Sequence, residues 1–578
     1  MQMDNKLRPL MNIVFPSDVF SNVPELFYRS EECLHGFEQG AQQVCRRYSF
    51  DTWMNLFAVK KWCTYCEPGK LFLRIHARGK IQVELIGHKL DAGFGLISDT
   101  LEVFEWDFGT EVSLEEFPVS VSETYDAVSL HVTMGEGSLL QEAAWCTDGA
   151  PLRRNRMAVI SCVSPGEKNF QPVMGVFHEF MKENPDMQDR CHLFVVDNTQ
   201  TIKSNDSPYI TVIPNMDAGW AGGFARGLME ANDGDYSRCL FLDGEANIIP
   251  ESFFRTLMVA DYLKDEEQEA FISGMAMDMG KKTLCMEGLN VWEGWQKVRC
   301  TRSSVVAPRD VLRCIQLDSK SFKKERFSSS WRYACFSMES MQEEYPLPAV
   351  MGGEEAEWSW RRPKLYHLVF NGICVWQRPR EWKTDRIREH YYLPRNMFMA
   401  YAVHSKKGHE ELMGDFKRVF DYLVSTYDYA SVDLLLTAMR DVLKGREAWA
   451  ENPLKQKARL AGIVRETVRH VCGDKKELLA LRTRSLKNVA GTTGMAMELY
   501  ADPECYRGKE KVEVYNLLQE SYELRIHDEA REERVRREFR DLLYQLGLHY
   551  EELAKHLRSC YEEFKTRKFW NKYLELER

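Results

Sequence analysis

From residue 156 onward the sequence alternates short apolar runs with segments of helical spacing, and this alternation restricts the fold more than any other feature. The apolar runs are Met157–Ile160, Leu193–Val196 and Cys239–Leu242. Between the first two, Phe170 to Met181 carries apolar residues at helical spacing. Strands that alternate with helices predict a parallel, doubly wound sheet. Ligands bind such sheets beyond the carboxyl ends of the strands, where Asp197 and Asp243 stand.

Different patterns flank this region and predict further domains. Residues 70–79, 80–86 and 125–134 alternate apolar and polar side chains, as strands do. Gly79 lies between the first two runs and predicts a hairpin there. We therefore predict a multidomain α/β protein, with residues 1–155 as an N-terminal β-sandwich or barrel, residues 156–395 as a Rossmann-like catalytic domain and residues 396–578 as a C-terminal helical domain.

The C-terminal prediction depends on helical periodicity. The periodic segments run from Leu412 to Ser425, Ala430 to Leu443, Pro453 to Val471 and Glu510 to Glu577. The last segment is strongly charged and carries Val535, Phe539, Leu542, Leu543 and Leu546 at helical spacing. This pattern is typical of a solvated amphipathic helix. A contact with a second copy of the chain or with a membrane surface is the alternative.

Length and charge exclude some classes of protein. At 578 residues the chain is too long for one ordinary core. Its net charge of -10 argues against nucleic-acid binding, which needs a basic face. No stretch reaches the roughly 18 to 20 apolar residues of a membrane helix, and the N-terminus has no apolar signal segment. Scattered single cysteines favour a reducing compartment, so we expect a cytoplasmic protein.

Two segments suggest a nucleotide site. Asp197 follows an apolar run, and its carboxylate can bind a uracil ring or a ribose, or can cap a turn. The segment from Asn215 to Gly227 is rich in glycine, including Gly222 and Gly223. Glycines at a helix start let the backbone approach a phosphate, and they also suit a tight junction between loop and helix.

Three further groups suggest catalysis on a sugar. Asp243 and Glu245 are two residues apart in a turn, a spacing that suits a hard divalent cation or a solvated turn. Glu354 and Glu355 offer a general base, or an exposed acidic helix start. Around Trp376 and Arg395, aromatic faces can stack on a sugar and the guanidinium can hold a phosphate, with core packing as the alternative.

In chain order, these motifs resemble glycosyltransferase family 2, and within it the bacterial galactofuranosyltransferases that polymerise cell-wall galactan. The matching residues are Asp51–Phe57, Lys61, Trp62, Leu71–Ile75, Asn215, Ala221–Gly227, Trp331, Tyr391, Tyr392, Arg395 and Asn396. The resemblance implies a β-domain, a catalytic core of the GT-A type and a helical C-terminal region. It also implies inverting transfer from UDP-galactofuranose to a glycan or lipid-linked glycan, with no nucleic acid as partner.

The resemblance implies a role for each candidate residue. The nucleotide sugar would contact Asp197, Asn215, Gly222, Gly223 and Arg226. A divalent cation, Mn²⁺ or Mg²⁺, would be held by Asp243, Glu245 and Gln377. Glu355 would be the base and Glu354 would orient hydroxyl groups, while Trp331 and Trp376 would bind the acceptor. A homo-oligomer and a contact with the inner face of the plasma membrane stay open.

The sequence departs from the family at the residues that carry the chemistry. The three aspartates of the family's metal motif are Asp243-Gly244-Glu245 here, and its paired aspartates are Glu354-Glu355. Its metal-binding histidine is replaced by Gln377. An arginine and a second acceptor-site tryptophan of the family are replaced by Ser164 and Arg332. Two hypotheses follow. The chain is a working transferase with altered metal or sugar preference, or it is a degenerate homologue that binds a nucleotide sugar or glycan without turnover.

Overall fold

The structure of the protein is a computed structural model. It describes residues 7–35, 43–120, 123–165, 171–203, 207–299, 302–321, 326–378, 385–405, 409–465, 469–471, 493–497, 502–516 and 521–576. The described residues form a multidomain α/β protein with several sheets and a helical C-terminal region. The domain boundaries at residues 155 and 395 stay predictions.

The front of the chain forms two antiparallel sheets. Their strands are β1 (Arg8–Asn12), β2 (Arg29–His35), β3 (Gln43–Ser49), β4 (Leu71–Arg78), β5 (Lys80–Leu90), β6 (Leu96–Asp107), β7 (Ser113–Val119), β8 (Ala127–Met134) and β9 (Leu139–Thr147), with helix α1 (Val59–Tyr65) between β3 and β4. One sheet has the order β1-β9-β4-β7 and the other β2-β3-β8-β5-β6. Leu73 and Ile75 of β4 share a core with Val83 and Leu85 of β5. The two sheets therefore form the predicted β-sandwich.

The predicted hairpin between residues 70 and 86 is wrong, although both strands exist. β4 pairs with β7 and β9, whereas β5 pairs with β6 and β8. Gly79 has φ +78°, which lets the chain turn sharply from one sheet into the other. Alternating burial on both strands is as expected. The pattern of apolar residues records which side of a strand is buried, but not which strand lies beside it.

A mixed seven-stranded sheet forms the centre of the molecule. Its elements and their neighbours are β10 (Met157–Val163), α2 (Gln171–Glu183), β11 (Cys191–Asp197), β12 (Ile210–Pro214), α3 (Gly219–Asp233), β13 (Arg238–Asp243), α4 (Pro250–Tyr262), β14 (Phe271–Ser273), β15 (Met275–Asp278), β16 (Cys285–Glu287), β17 (Leu289–Glu293), β18 (Gln296–Arg299), α5 (Pro308–Ile315), β19 (Phe327–Ser329), β20 (Tyr333–Ser337), α6 (Met338–Met341), α7 (Glu354–Trp360), β21 (His367–Leu368) and β22 (Cys374–Gln377). The order is β12-β11-β10-β13-β20-β14-β21, and its first four strands are parallel. The first three apolar runs of the sequence analysis are β10, β11 and β13.

Helices cover both faces of this sheet, as a doubly wound arrangement requires. Ile160 of β10 lies in a core with Phe224 of α3. Val159, the preceding residue, lies in a second core with Phe177 of α2 and Phe253 of α4. This second core also contains many buried residues of the front sandwich, among them Leu73, Ile75, Val83 and Leu85. The apolar runs are buried on both sides, which explains why they show no alternation.

The C-terminal region contains helices and one sheet that the sequence analysis did not predict. Its elements are α8 (Leu393–His404), α9 (Glu410–Ser425), α10 (Tyr429–Lys444), α11 (Arg446–Ala450), α12 (Pro453–Val464), β23 (Arg469–Val471), β24 (Thr493–Met497), β25 (Lys511–Asn516), β26 (Ser521–Ile526), α13 (Glu529–Leu548), α14 (Tyr550–Phe564) and α15 (Arg567–Tyr573). The predicted helix to Val471 ends at Val464, and the predicted helical tail begins with two strands.

The apolar face of α13 is covered by the chain itself. Val535, Phe539 and Leu546 are buried, and the ring of Phe539 stacks on Phe420 of α9 with centroids 3.8 Å apart. This face is therefore part of the protein core. No described helix combines the length and apolar character needed to span a bilayer. Contacts with a membrane surface or with a second copy stay predictions.

Candidate active site

A cavity of about 220 Å³ lies at the carboxyl ends of β10 and β13. Cys162 and Asp243, which are paired across these two strands, both line it. The aromatic and apolar part is formed by Trp220, Phe224, Trp292, Trp295, Trp331 and Leu393, and the charged part by Asp243, Glu287, Lys297, Arg332, Glu354, Glu355, Arg388 and Glu389. Four residues that the sequence analysis selected therefore meet in one cavity: Asp243, Trp331, Glu354 and Glu355.

The two glutamates lie at the first turn of α7. Gly352 and Gly353 precede them with φ +82° and +84°, a left-handed conformation that favours glycine. This turn directs the start of the helix into the cavity, where Glu354 and Glu355 line the wall. Neither is the exposed helix start of the alternative interpretation, since Glu354 is 5% exposed and the Glu355 side chain is 13% exposed.

The loop before α7 is held by the arginine–asparagine pair of α8. Asn396 Nδ2 donates to the carbonyl oxygens of Ala349 at 2.9 Å and Gly352 at 2.7 Å. Arg395 is fully buried, and its guanidinium donates to Asn396 Oδ1 and to the Ala448 carbonyl. Arg395 is thus a structural residue that supports the loop, and the suggestion that it holds a phosphate is wrong.

Lys297 joins two carboxylates inside the cavity. Its ammonium donates to Glu355 Oε1 and to Glu287 Oε1, both at 2.6 Å. Glu287 is 1% exposed, and its second oxygen faces the guanidinium of Arg332 at 4.0 Å. Burial opposes ionisation of Glu287, but the charges of Lys297 and Arg332 outweigh it and hold its pKa well below the usual range.

Neither Glu287 nor Lys297 was predicted from the sequence. β17 and β18 form a hairpin around Gly294, which has φ +59°, and this hairpin pairs Trp292 with Lys297. The glycine between two short alternating segments was a signal for this turn. Glu287 had no local signal, because β16 is only three residues long.

Tryptophans form the aromatic wall. Trp331 packs edge to face against Phe224 and Phe241, with centroids 5.1 and 5.0 Å apart. Its Nε1 is buried and has no hydrogen-bond partner among the described residues. Trp292, by contrast, donates from Nε1 to Ser328 Oγ at 2.8 Å.

The predicted nucleotide residues Asp197 and Asn215 lie at the ends of β11 and β12. The Asp197 carboxylate accepts from the backbone N–H of Thr199 at 2.8 Å and of Ile202 at 2.7 Å. Burial opposes its ionisation, but a hydrogen bond from the Thr199 hydroxyl, together with these backbone bonds, lowers its pKa. Asn215 Nδ2 donates to Asn198 Oδ1 at 2.8 Å. Asp197 therefore caps a turn, and its contact with uridine stays a prediction.

The glycines of α3 are explained by contacts within the protein. A Cβ on Gly223 would lie 2.7 Å from Cys162 Sγ, and one on Gly227 would lie 2.3 Å from Ile160 Cγ2. These two glycines therefore let α3 approach the sheet closely. Gly222 faces Ala218 and the side chains of α15. The structure thus favours the tight-junction alternative for this segment, and donor contacts from Gly222 and Gly223 stay predictions.

The three predicted metal ligands are not gathered around the cavity. Asp243 lines it, and Asp243 Oδ1 accepts from the backbone N–H of Glu245 at 3.0 Å. Gln377 ends β22 and is 4% exposed, and its Nε2 has no hydrogen-bond partner among the described residues. Over the part of the chain that the structure describes, no cluster of three His, Cys, Asp or Glu side chains is arranged to hold a metal ion.

The two remaining predicted contacts, those of Trp376 and Arg226, lie outside the cavity. Trp376 is fully buried against Phe20, and its Nε1 donates to the Lys282 carbonyl at 2.9 Å. It is a core residue, so the prediction that it binds the acceptor is wrong. Arg226 forms an ion pair of 2.6 Å with Glu230 on α3 and does not line the cavity. Its role in donor binding stays a prediction.

Comparison of the sequence with protein-family profiles and with curated proteins finds no match. Solved structures that show some similarity include the mannosyltransferase PcManGT from Pyrobaculum calidifontis in complex with GDP-Man and Mn²⁺, with 13% identity and a TM-score of 0.25 over 55% of this chain and 83% of that chain. They also include a xylanase 10B segment from Clostridium thermocellum complexed with xylohexaose, with 8% identity and a TM-score of 0.15 over 33% and 38%. Such TM-scores do not establish a shared fold.

Proposed function

We propose that the chain is a glycosyltransferase that moves a sugar from a nucleotide sugar to a hydroxyl group of a glycan. The cavity carries this proposal, because it combines indole faces suited to sugar rings with carboxylates that accept hydrogen bonds from hydroxyl groups. It also lies beyond the carboxyl ends of parallel strands, where open α/β sheets bind ligands.

The sequence resemblance supports a more specific version of the proposal. The donor is a UDP-sugar, with galactofuranose as the sugar, and the acceptor is a cell-surface or lipid-linked glycan. Transfer inverts the configuration at the anomeric carbon. The enzyme works in the cytoplasm, at the inner face of the plasma membrane, with Asp197 and Asn215 toward the nucleotide and Trp331 toward the acceptor.

Glu355 is the general base in this mechanism. Its Oε1 is engaged by Lys297, whereas Oε2 has a long contact of 3.4 Å with the backbone N–H of Trp331. The acceptor hydroxyl gives its proton to Oε2 as its oxygen bonds to the anomeric carbon. The bond from that carbon to the diphosphate breaks, and UDP leaves with the electron pair. Glu354, on the same turn of α7, orients the sugar hydroxyl groups.

A divalent cation suits the chemistry of the predicted ligands. Asp243 and Glu245 offer carboxylate oxygens and Gln377 offers an amide oxygen, all ligands that Mg²⁺ and Mn²⁺ prefer. When bound, the cation would neutralise negative charge on the departing diphosphate.

The first test measures UDP release from a panel of UDP-sugars, including UDP-galactofuranose, with Mn²⁺, with Mg²⁺ and with EDTA. We expect release from one donor, which rises when a glycan acceptor is added and falls in EDTA. Release that is the same in EDTA would contradict the cation, and release from no donor would contradict the transferase.

A second test removes the base. Glu355→Gln keeps the size of the side chain, and we expect kcat to fall by about 10²- to 10⁴-fold, with donor affinity unchanged. Glu339→Gln is the matched control, since Glu339 is exposed and lies outside the cavity. Normal turnover in Glu355→Gln would contradict the assignment of the base.

A degenerate homologue that binds a nucleotide sugar or glycan without turnover is the second candidate. One observation favours it: Gly244 and Gln377 stand where the family that the sequence resembles has an aspartate and a metal-binding histidine. Calorimetric titration with UDP and with oligosaccharides separates the candidates. Binding without UDP release from any donor favours the homologue, whereas binding with release favours the enzyme.

A further inference from the structure

Lys297 lines the cavity and forms short contacts with two carboxylates, but the proposed mechanism gives it no role. It lies on β18, opposite Trp292, and its side chain is 21% exposed. Its ammonium lies 2.6 Å from one oxygen of Glu355 and 2.6 Å from one oxygen of Glu287. A lysine held between two carboxylates has few alternative positions, because moving away from either would leave a charge unpaired at a partly buried site.

Glu287 is the fixed end of this arrangement. It is buried, and its Oε1 also accepts a hydrogen bond of 2.9 Å from Asn290 Nδ2. Arg332 lies beside its other oxygen. These contacts leave Glu287 little freedom, so the strands β16 to β18 supply a contact for the Lys297 ammonium that does not depend on α7.

We propose that Lys297 is a positioning residue for the general base: it holds Glu355 Oε1, which leaves Oε2 turned toward the acceptor hydroxyl. This inference rests on the proposed function. A carboxylate on an unrestrained side chain samples several rotamers, and a displacement of about 1 Å at a reacting group can cost about 100-fold in rate. Lys297 prevents that loss of rate because its hydrogen bond to Glu355 links α7, which carries the base, to strand β18.

The experiment compares steady-state kinetics of Lys297→Met, Lys297→Arg and Glu287→Gln with the wild-type protein. We expect kcat to fall about 100-fold in Lys297→Met, with KM for the UDP-sugar within about threefold. Lys297→Arg restores the charge and most of kcat. Glu287→Gln removes the charge of Glu287 that holds Lys297 but keeps the contact between Lys297 and Glu355. We therefore expect its kcat to lie between those of Lys297→Met and Lys297→Arg.

Lys320→Met is the matched control for stability. Lys320 also pairs with a buried glutamate, Glu267, but both residues lie outside the cavity. A structural role for Lys297 predicts that both methionine variants lose stability alike and that kcat follows the melting temperature. A role in positioning predicts that Lys320→Met keeps full kcat, whereas Lys297→Met and Glu287→Gln lose kcat in the order given above, at temperatures where all variants are folded.

The outcomes separate the two proposals. Wild-type protein that releases no UDP overturns the proposed function and this inference together. Active wild-type protein with full kcat in Lys297→Met overturns this inference alone. If Lys297→Met does not fold, Lys297→Arg and Glu287→Gln decide: a loss of kcat in Glu287→Gln with retention in Lys297→Arg supports the inference, and full kcat in Glu287→Gln contradicts it.

Discussion

Tyr561 donates a hydrogen bond of 2.9 Å to Glu357 Oε1, and this bond joins the C-terminal helix α14 to the helix that carries Glu354 and Glu355. Glu357 is 2% exposed and also accepts from Arg361 and His404. Burial opposes its ionisation, but Arg361 and the hydrogen bonds outweigh it and lower its pKa to about 2. The C-terminal region thus helps to set the position of the acidic helix.

Tyr561→Phe therefore affects both stability and turnover. Hydrogen bonds to charged groups contribute about 1.5 to 3 kcal/mol, so we expect a loss of that size in the free energy of unfolding, together with a lower kcat. Urea denaturation and UDP release measure the two effects. Tyr544→Phe is the control, because Tyr544 is on the neighbouring helix and is 69% exposed. Equal stability of the two variants would contradict the role of the Tyr561–Glu357 bond.

Alanine substitutions at two helical glycines are expected to change stability in opposite directions. Gly223→Ala places a Cβ 2.7 Å from Cys162 Sγ, and overpacking of this kind costs about 1 to 3 kcal/mol. Gly175→Ala, on the exposed side of α2, meets nothing within 4 Å and is expected to gain up to about 1 kcal/mol from helix propensity. Thermal unfolding of both variants tests this, and a stable Gly223→Ala protein would contradict the close packing of α3 on the sheet.

Trp331 and Trp376 differ in what their indole N–H groups contact. Trp376→Phe breaks the bond to the Lys282 carbonyl and leaves a gap beside Phe20. We expect a loss of about 1 to 3 kcal/mol in stability with kcat/KM unchanged. Trp331→Phe removes a donor that has no partner in the described protein. We expect it to lower kcat/KM for the acceptor about tenfold, the value of one hydrogen bond, which acceptor titrations would show.

Two buried histidines, His88 and His367, and the half-buried His390 make stability depend on pH. Burial lowers the pKa of His88 and His390 from 6.5 to about 4 and that of His367 to about 3. The unfolded chain therefore takes up protons below pH 6.5 that the folded protein does not, so stability falls as pH decreases from about 6.5 toward 4. Each histidine contributes a slope of up to about 1.4 kcal/mol per pH unit.

Urea midpoints at pH 7 and pH 5 measure this slope. His367 accepts or donates a hydrogen bond of 2.8 Å with Ser329 Oγ and stacks on Phe271. His367→Gln removes its titration, so we expect a smaller difference between the two pH values. His549→Gln, at an exposed helix end, leaves the difference unchanged. A slope that is the same in His367→Gln and in the wild-type protein would contradict the prediction.

The local pattern of apolar, polar and acidic residues was enough to predict several strands and several residues of the candidate site. The apolar runs of β10, β11 and β13, and the acidic residues at their ends, were readable because burial on both faces of a sheet leaves an unbroken apolar run. The alternation in β4, β5 and β8 was readable because strand side chains point to opposite faces. Glu354, Glu355, Asp243 and Trp331 were selected from their motifs, and the structure brings them to one cavity.

Only the tertiary structure decided which distant segments meet. The alternation of apolar and polar residues along a strand does not show which strand lies beside it. For this reason β4 and β5 were predicted to pair, although they belong to opposite sheets. Trp376 and Arg395 have the residue types of a sugar or phosphate site, yet their positions in the fold bury them. Lys297 contacts Glu355 across a separation of 58 residues along the chain, and it also contacts Glu287, which lies 68 residues before Glu355. The charge balance of the cavity follows from this packing, because a buried carboxylate stays ionised only where the fold supplies a cation or hydrogen-bond donors.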